Sequence, residues 1–332
     1  MVEPFEKKFA ASVHRRRFLK AATAAAGSAL LPEVAWAQPS DSYDLRNDTN
    51  KNYMTAVKDQ EDPVSCNACT AFAVAAAVEG TYNKNRSQFG TSPAPAAYLD
   101  FDELELFLRA PDPNDQNDAA SGGCGTSHWW PKHALARCKS LGIKGKVNAS
   151  APEEYLKILE AKNLLSEDPN LNRKQNLIKT QADMKCWIRV KGPVVAVMVQ
   201  YEDLYAWGKA WSDQNPGMPN PNVYAPGKTL SVCTPCAAAA SAPTTRMPAA
   251  AARKRPRVPV VGGHVVAIVG FDGTKKCWIC KNSWGSDWNG DGYVLIEQVD
   301  SSGMGHLGVD GCYIDLIDVW GVNLDNTTPT CT

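Results

Sequence analysis

Net charge is the first thing this 332-residue chain lacks: 35 Lys and Arg stand against 35 Asp and Glu. That balance gives no electrostatic case for nucleic acid or a membrane surface as the main partner. Long apolar runs are missing as well. None reaches the ~18 residues that a membrane span needs, so no stable membrane insertion is expected. A calcium loop fails for want of one ligand. Asp287-Trp288-Asn289-Gly290-Asp291-Gly292 opens like such a loop, but its twelfth position is Gln298 rather than Glu, and its flanks read as strands. A zinc site fails on geometry. Cys233-Thr234-Pro235-Cys236 and Cys277-Trp278-Ile279-Cys280 are C-x-x-C pairs, but the second lies in a strand, where residues three apart face opposite sides. The reading therefore contains no metal and no cofactor.

What the chain has in quantity is cysteine. Eleven are present, which suits a periplasmic or secreted protein better than a cytosolic one. The N-terminus agrees. His14-Arg15-Arg16-Arg17-Phe18-Leu19-Lys20 reads as a twin-arginine export motif, followed by a mild apolar stretch from Ala21 to Leu31 and a small-x-small cleavage site at Ala35-Trp36-Ala37. Residues 1–37 are therefore set aside as a signal peptide. Their removal leaves 29 basic against 32 acidic residues.

Three separated segments carry the chemistry. Gln60-Glu61-Asp62-Pro63-Val64-Ser65-Cys66-Asn67-Ala68-Cys69 precedes an Ala-rich run; Gly262-Gly263-His264 opens an apolar stretch; and Lys281-Asn282-Ser283-Trp284-Gly285 closes another. Ala71, Phe72, Ala75, Val78 and Tyr82 recur at helical spacing, which predicts a helix from Thr70 to about Lys84. Val265–Val269, Trp278–Lys281 and Tyr293–Ile296 read as strands. A thiol at the first turn of a helix meets the positive end of the macrodipole. A neighbouring imidazolium lowers its pKa further and makes it a nucleophile. In this reading Cys69 attacks a carbonyl, His264 takes and returns the proton, and Asn282 orients the ring. The Gln60 amide and the Cys69 backbone N–H stabilise the oxyanion.

The order Cys, His, Asn, with Val57-Lys58-Asp59-Gln60 ahead of it and Asn282-Ser283-Trp284-Gly285, Trp288 and Gly292-Tyr293 behind, resembles the papain family of cysteine peptidases from about Tyr43 to Tyr313. The resemblance implies an α+β, two-lobe fold. A helical lobe (38–180) would carry the Cys helix, and an antiparallel β-barrel-like lobe (181–332) would carry His264 and Asn282. It implies a disulfide between Cys66 and Cys124, and a substrate-binding surface at Trp284, Gly125, Thr126 and Ser127. It also implies a long helical pro-segment, for which only about six residues are available between the cleavage site and Asp44. The connectivity of the remaining cysteines is not legible.

The chain departs from the family in several places. Glu61-Asp62-Pro63 adds three residues between Gln60 and Cys69, and Thr70 stands where the family has Trp. His264 follows Cys69 by 195 residues, against roughly 130–150 in the plant and lysosomal enzymes. The excess is assigned to about 208–263, which lacks periodicity, is rich in Pro, Asn and Gly and then in Ala, Pro and Arg, and reads as a flexible insertion. The expected function is an exported, monomeric cysteine endopeptidase acting on polypeptides. A transpeptidase or amidase on a non-protein amide, and an inactive papain-like binding protein, are the alternatives.

Overall fold

The computed structural model describes residues 41–62, 66–88, 100–121, 123–124, 129–146, 152–225, 260–298, 316–325, 327 and 329. The proposed signal peptide, Gly125, Thr126 and Ser127, and residues 226–259 of the insertion lie outside the described residues.

The Ala-rich run forms helix α1, Cys69–Gln88. Ala71, Ala75 and Val78 are fully buried, and so are Val74 and Ala77 on other faces. The helix is therefore enclosed rather than amphipathic, and its small side chains allow neighbouring elements to approach closely. Around it pack α2 (Glu103–Leu108), α3 (Pro131–Ser140) and a small sheet of β2 (Asp100–Phe101), β3 (Ile143–Lys146) and β4 (Glu154–Leu156). Asp102 caps α2 by accepting from the Glu105 N–H, which satisfies one of the otherwise orphaned donors of the first turn.

The larger sheet has eight strands. Its order is β5 (Glu160–Asn163), β11 (Leu316–Asn323), β6 (Val194–Tyr201), β8 (Val260–Asp272), β9 (Cys277–Lys281), β10 (Tyr293–Glu297) and β7 (Val223–Tyr224), with β1 (Tyr43–Asp44) paired to β8. Every pairing is antiparallel except β10 with β7. Among the described residues the strand path does not close, so the barrel-like lobe is a large, mainly antiparallel sheet rather than a closed barrel.

Side-chain alternation along β6 divides the interior. Val195 and Val197 join the core around α1, whereas Val194, Ala196 and Met198 join a second core with Met184, Trp187 and Ile188 of α4 (Arg173–Val190). Each such fully buried aliphatic side chain contributes about 1.5–3 kcal/mol. The sheet thus carries α1 on one face and α4 on the other.

The expected insertion is structured at both described edges. Residues 208–214 complete helix α5, Asp203–Gln214, and β8 already begins at Val260. Close packing is the reason. Gly208 sits against Trp288 so tightly that a Cβ there would lie 2.3 Å from Cε2. The calcium-like stretch is a turn. Gly290 (φ +87°) passes Met218 where a Cβ would lie 1.9 Å from the carbonyl oxygen, and Asn289 is locked by hydrogen bonds to Tyr293 O at 2.6 Å and from Asn220 at 2.8 Å.

Candidate active site

Cys69 is the first residue of α1, and the Ala68 carbonyl accepts the first helical bond from Phe72 N–H. The N-terminal end of a 20-residue helix, with its unpaired amides, therefore faces the thiol. The preceding turn is braced by the Cys66–Cys124 disulfide, whose Cα atoms lie 4.5 Å apart. Thr70 donates its hydroxyl to the Trp129 carbonyl and so fastens the helix start to the segment entering α3. The Cys69 sulfur lies within hydrogen-bonding reach of the backbone of Val265, the residue after His264.

His264 lies on β8, buried, between Met198 of β6 and the start of the β9 pairing. Its Nε2 is 2.7 Å from Asn282 Oδ1. A carbonyl oxygen only accepts, so Nε2 carries the proton and Nδ1 is the free base. Trp284 stacks on the imidazole at 4.6 Å between centroids, and Trp288 meets Trp284 edge-on at 4.8 Å. Asn282 follows β9 directly, and its N–H donates to Gly292 O at 3.0 Å. Gly292 (φ +75°) must be glycine, since a Cβ there would lie 2.5 Å from Val57 Cγ1.

Burial governs the charge state of the pair. It pushes the Cys69 thiol up against the opposing hydrogen bonds from Val265 and Thr70. It also draws His264 down to about 4, opposed by the bond to Asn282. The helix end and the Asn282 bond oppose these effects of burial.

Gln60 is buried in the same region. Its N–H donates to Ser283 O at 2.9 Å, and its Oε1 accepts from Ser283 Oγ at 2.7 Å. One Nε2 hydrogen reaches the Cys66 carbonyl at 3.4 Å, which leaves the second available to a ligand. Cys66 N–H in turn donates to Gln60 O at 3.3 Å, closing the loop that holds the three additional residues. Cys69, Gln60, His264, Asn282 and Trp284 are thus brought into one neighbourhood.

A buried charge cluster beneath them was not legible in the sequence. Lys281, next to Asn282, donates to Thr55 Oγ1 at 2.8 Å, and Thr55 donates to Glu79 of α1. Lys58 donates to Glu103 at 2.6 Å and to Phe101 O at 2.9 Å, and lies 3.4 Å from Glu79. Burial draws Lys281 down to about 8 and pushes Glu103 up to about 7, the latter against the attraction of Lys58. The cluster ties the segment before Gln60, α1, α2 and β9 together.

The other expected features fall elsewhere. His133 is buried with Nδ1 2.5 Å from Asn117 O, an internal support for α3. Cys277 and Cys280 are buried free thiols, and the described residues contain no group of three metal-ligating side chains. No helix among the described residues is long and apolar enough to cross a membrane.

The family model of papain family cysteine proteases matches residues 253–311. A thiol protease of Hemerocallis sp. is 43% identical over 49 residues, 14% of this chain and 14% of that protein. Procathepsin L of Felis catus is 57% identical over 41 residues, 10% of this chain and 12% of that protein. The chain thus matches these curated relatives over less than a sixth of their length. Among solved structures, the bromelain protease from Ananas comosus in complex with the E64 inhibitor is 19% identical, with a TM-score of 0.46 over 86% of this chain and 99% of that one. Xylellain, a cysteine protease from Xylella fastidiosa, is 18% identical, with a TM-score of 0.45 over 86% of each chain. The segment whose likeness to the papain family is shown is therefore the one that carries His264, Asn282 and Trp284.

Proposed function

We propose that the chain is a cysteine endopeptidase that hydrolyses peptide bonds through a thioester on Cys69. The observation that carries this reading is the 2.7 Å bond from His264 Nε2 to Asn282, which leaves Nδ1 as the base on a residue adjoining the backbone against the Cys69 thiol. The match of the 253–311 segment supports it.

In this mechanism the thiol proton passes to Nδ1, and the resulting thiolate, paired with the imidazolium, bonds to the substrate carbonyl carbon. The oxyanion takes hydrogen bonds from the Cys69 N–H and the free Gln60 Nε2 hydrogen. The C–N bond then breaks as His264 protonates the departing amine. Water adds to the thioester with His264 as base, and the C–S bond breaks to return the thiol. The substrate is polypeptide and the enzyme acts as a monomer.

Export by the twin-arginine route into the periplasm, or secretion, completes the proposal. The Cys66–Cys124 disulfide is stable in such an oxidising compartment. Purified chain lacking residues 1–37, offered a broad peptide library, should cleave internal bonds. Cleavage retained in Cys69→Ala, or hydrolysis confined to non-peptide amides, would overturn the reading.

A further inference from the structure

A cavity of about 270 Å³ lies between α4 and β5, on the face of the sheet that α1 does not cover. It contains none of the catalytic residues. One wall is a single face of α4, where Lys179, Asp183 and Trp187 follow one another at four-residue steps. The other wall is residues 162–166, at the end strand of the sheet and just beyond it.

Most polar side chains around the cavity are already engaged. Asn163 donates to Asp318 at 2.9 Å and accepts from Leu165 N–H at 2.8 Å. Ser166 donates its hydroxyl to Asn176 at 2.7 Å, and Lys179 donates to Asp183 at 2.6 Å. Two groups have no partner among the described residues: the Lys162 ammonium and Nε1 of Trp187, a side chain only 2% exposed. Both are donors, and a buried donor without an acceptor is destabilising.

The two donors converge. Gly321 of β11 is pressed onto the Trp187 ring, where a Cβ would lie 2.2 Å from Cε2. Lys162 is the cross-strand partner of Gly321. Directly opposed residues share a face of the sheet, so Lys162 leaves β5 on the side where Trp187 lies. Leu164, Leu165 and the indole itself add apolar surface beside them.

These features define the ligand. Two donors, one of them a cation, call for an anion with two acceptor oxygens, and a carboxylate can take a hydrogen bond from each. The leucines and the indole call for an apolar body. The volume is at the small end of ligand sites, which suits a molecule of amino-acid to dipeptide size. We propose that this cavity binds a small apolar carboxylate between Trp187 Nε1 and Lys162. Two sources present that chemistry: the C-terminus of a short peptide, such as a peptidase releases, and a free carboxylic acid. The site stands without the peptidase reading.

Binding to the Cys69→Ala protein, which excludes turnover, is read by tryptophan fluorescence and by the rise in Tm that a ligand produces. N-acetyl-L-phenylalanine should bind, and its amide should bind about tenfold more weakly or worse. Lys162→Met, at an exposed position, should weaken the acid by about the same factor, and Lys162→Arg should retain it. Trp187→Phe keeps an aromatic ring, loses the donor and should also weaken the acid. Tighter binding of N-acetylglycyl-L-phenylalanine than of phenylpropanoate assigns the site to peptide C-termini, and the reverse order assigns it to free acids. No binding of N-acetyl-L-phenylalanine, equal binding of acid and amide, or undiminished binding in Lys162→Met overturns the proposal.

Discussion

Ser283 grips Gln60 twice, by accepting its backbone N–H at 2.9 Å and by donating a hydroxyl to its Oε1 at 2.7 Å. This double contact joins the two sequence segments that meet at the site. It also explains how Glu61-Asp62-Pro63 is tolerated. The backbone bond from Cys66 N–H to Gln60 O closes the extended loop, and Glu61 and Asp62 project into solvent. If the Gln60 amide holds the oxyanion, Gln60→Ala costs roughly 2.7–4 kcal/mol in kcat/KM. Ser283→Ala, which leaves a buried acceptor unpaired, costs about 1–3 kcal/mol. Steady-state kinetics on one peptide substrate decides this; full activity in Gln60→Ala contradicts the assignment.

In the proposed mechanism Asn282 only steers His264, so Asn282→Ala should lower kcat without abolishing turnover. Its hydrogen bond raises the His264 pKa against burial. Its loss therefore moves the protonation of the ring to still lower pH, and the acid limb of the rate profile should follow. A limb that shifts upward, or a fully inactive variant of normal fold, contradicts this role.

His264 also makes the fold acid-sensitive. Its pKa falls from 6.5 to about 4 on folding because the ring is buried. Between these values the unfolded chain binds a proton that the folded chain does not, so stability is lost as pH falls from 6.5 towards 4. The loss is on the order of 3 kcal/mol. Urea unfolding at pH 7 and pH 4.5 should show a larger drop in midpoint for wild type than for His264→Gln, and equal drops would remove the effect.

The cluster below the site stabilises the joint between helices and sheet. Replacing Glu79 by Leu removes the carboxylate nearest the buried Lys281 and leaves Thr55 unpaired, while Lys58 keeps Glu103 and Asp100, and should cost about 1–3 kcal/mol of unfolding free energy. Lys281 works in the opposite sense alone. Its pKa is drawn from 10.5 to about 8 by burial, so stability rises as pH passes from 8 to 10.5, and Lys281→Met should remove that rise. Denaturant titrations across this range give both answers.

Much of this arrangement was legible, and the reasons are particular. Cys69 at the head of a run without helix breakers declares its position through local pattern; the strand at Val265–Val269 was legible too, but it begins at Val260, before His264, and runs past Gly270 to Asp272, held by its pairing with β6 and β9. The enclosure of α1 was less legible, because alanines buried on every side produce no strong periodicity. Helix α5 was missed. Asp203–Gln214 is followed by a stretch rich in Pro, Asn and Gly, and what fixes it is the contact of Gly208 with Trp288, eighty residues away. The Thr55–Glu79–Lys281 cluster was invisible for the same reason, since its partners come from three distant segments. The open sheet path also depends on β5 and β11, which no local signal joins.

The export proposal concerns residues outside those the structure describes. Replacing Arg15 and Arg16 by Lys should leave uncleaved precursor in the cytoplasm, and the exported wild type should begin near Gln38. Mass analysis of the two fractions checks this, and normal export of the double Lys variant contradicts it.

The central claim is that Cys69 is the nucleophile and His264 its base. Intact-mass analysis after treatment with an epoxysuccinyl reagent, followed by peptide mapping, tests it most directly. The account predicts one adduct per chain, on Cys69, with loss of peptide hydrolysis in step with labelling and no adduct in His264→Ala. Labelling at Cys138, Cys277 or Cys280 instead, or full hydrolysis by protein labelled on Cys69, would contradict it.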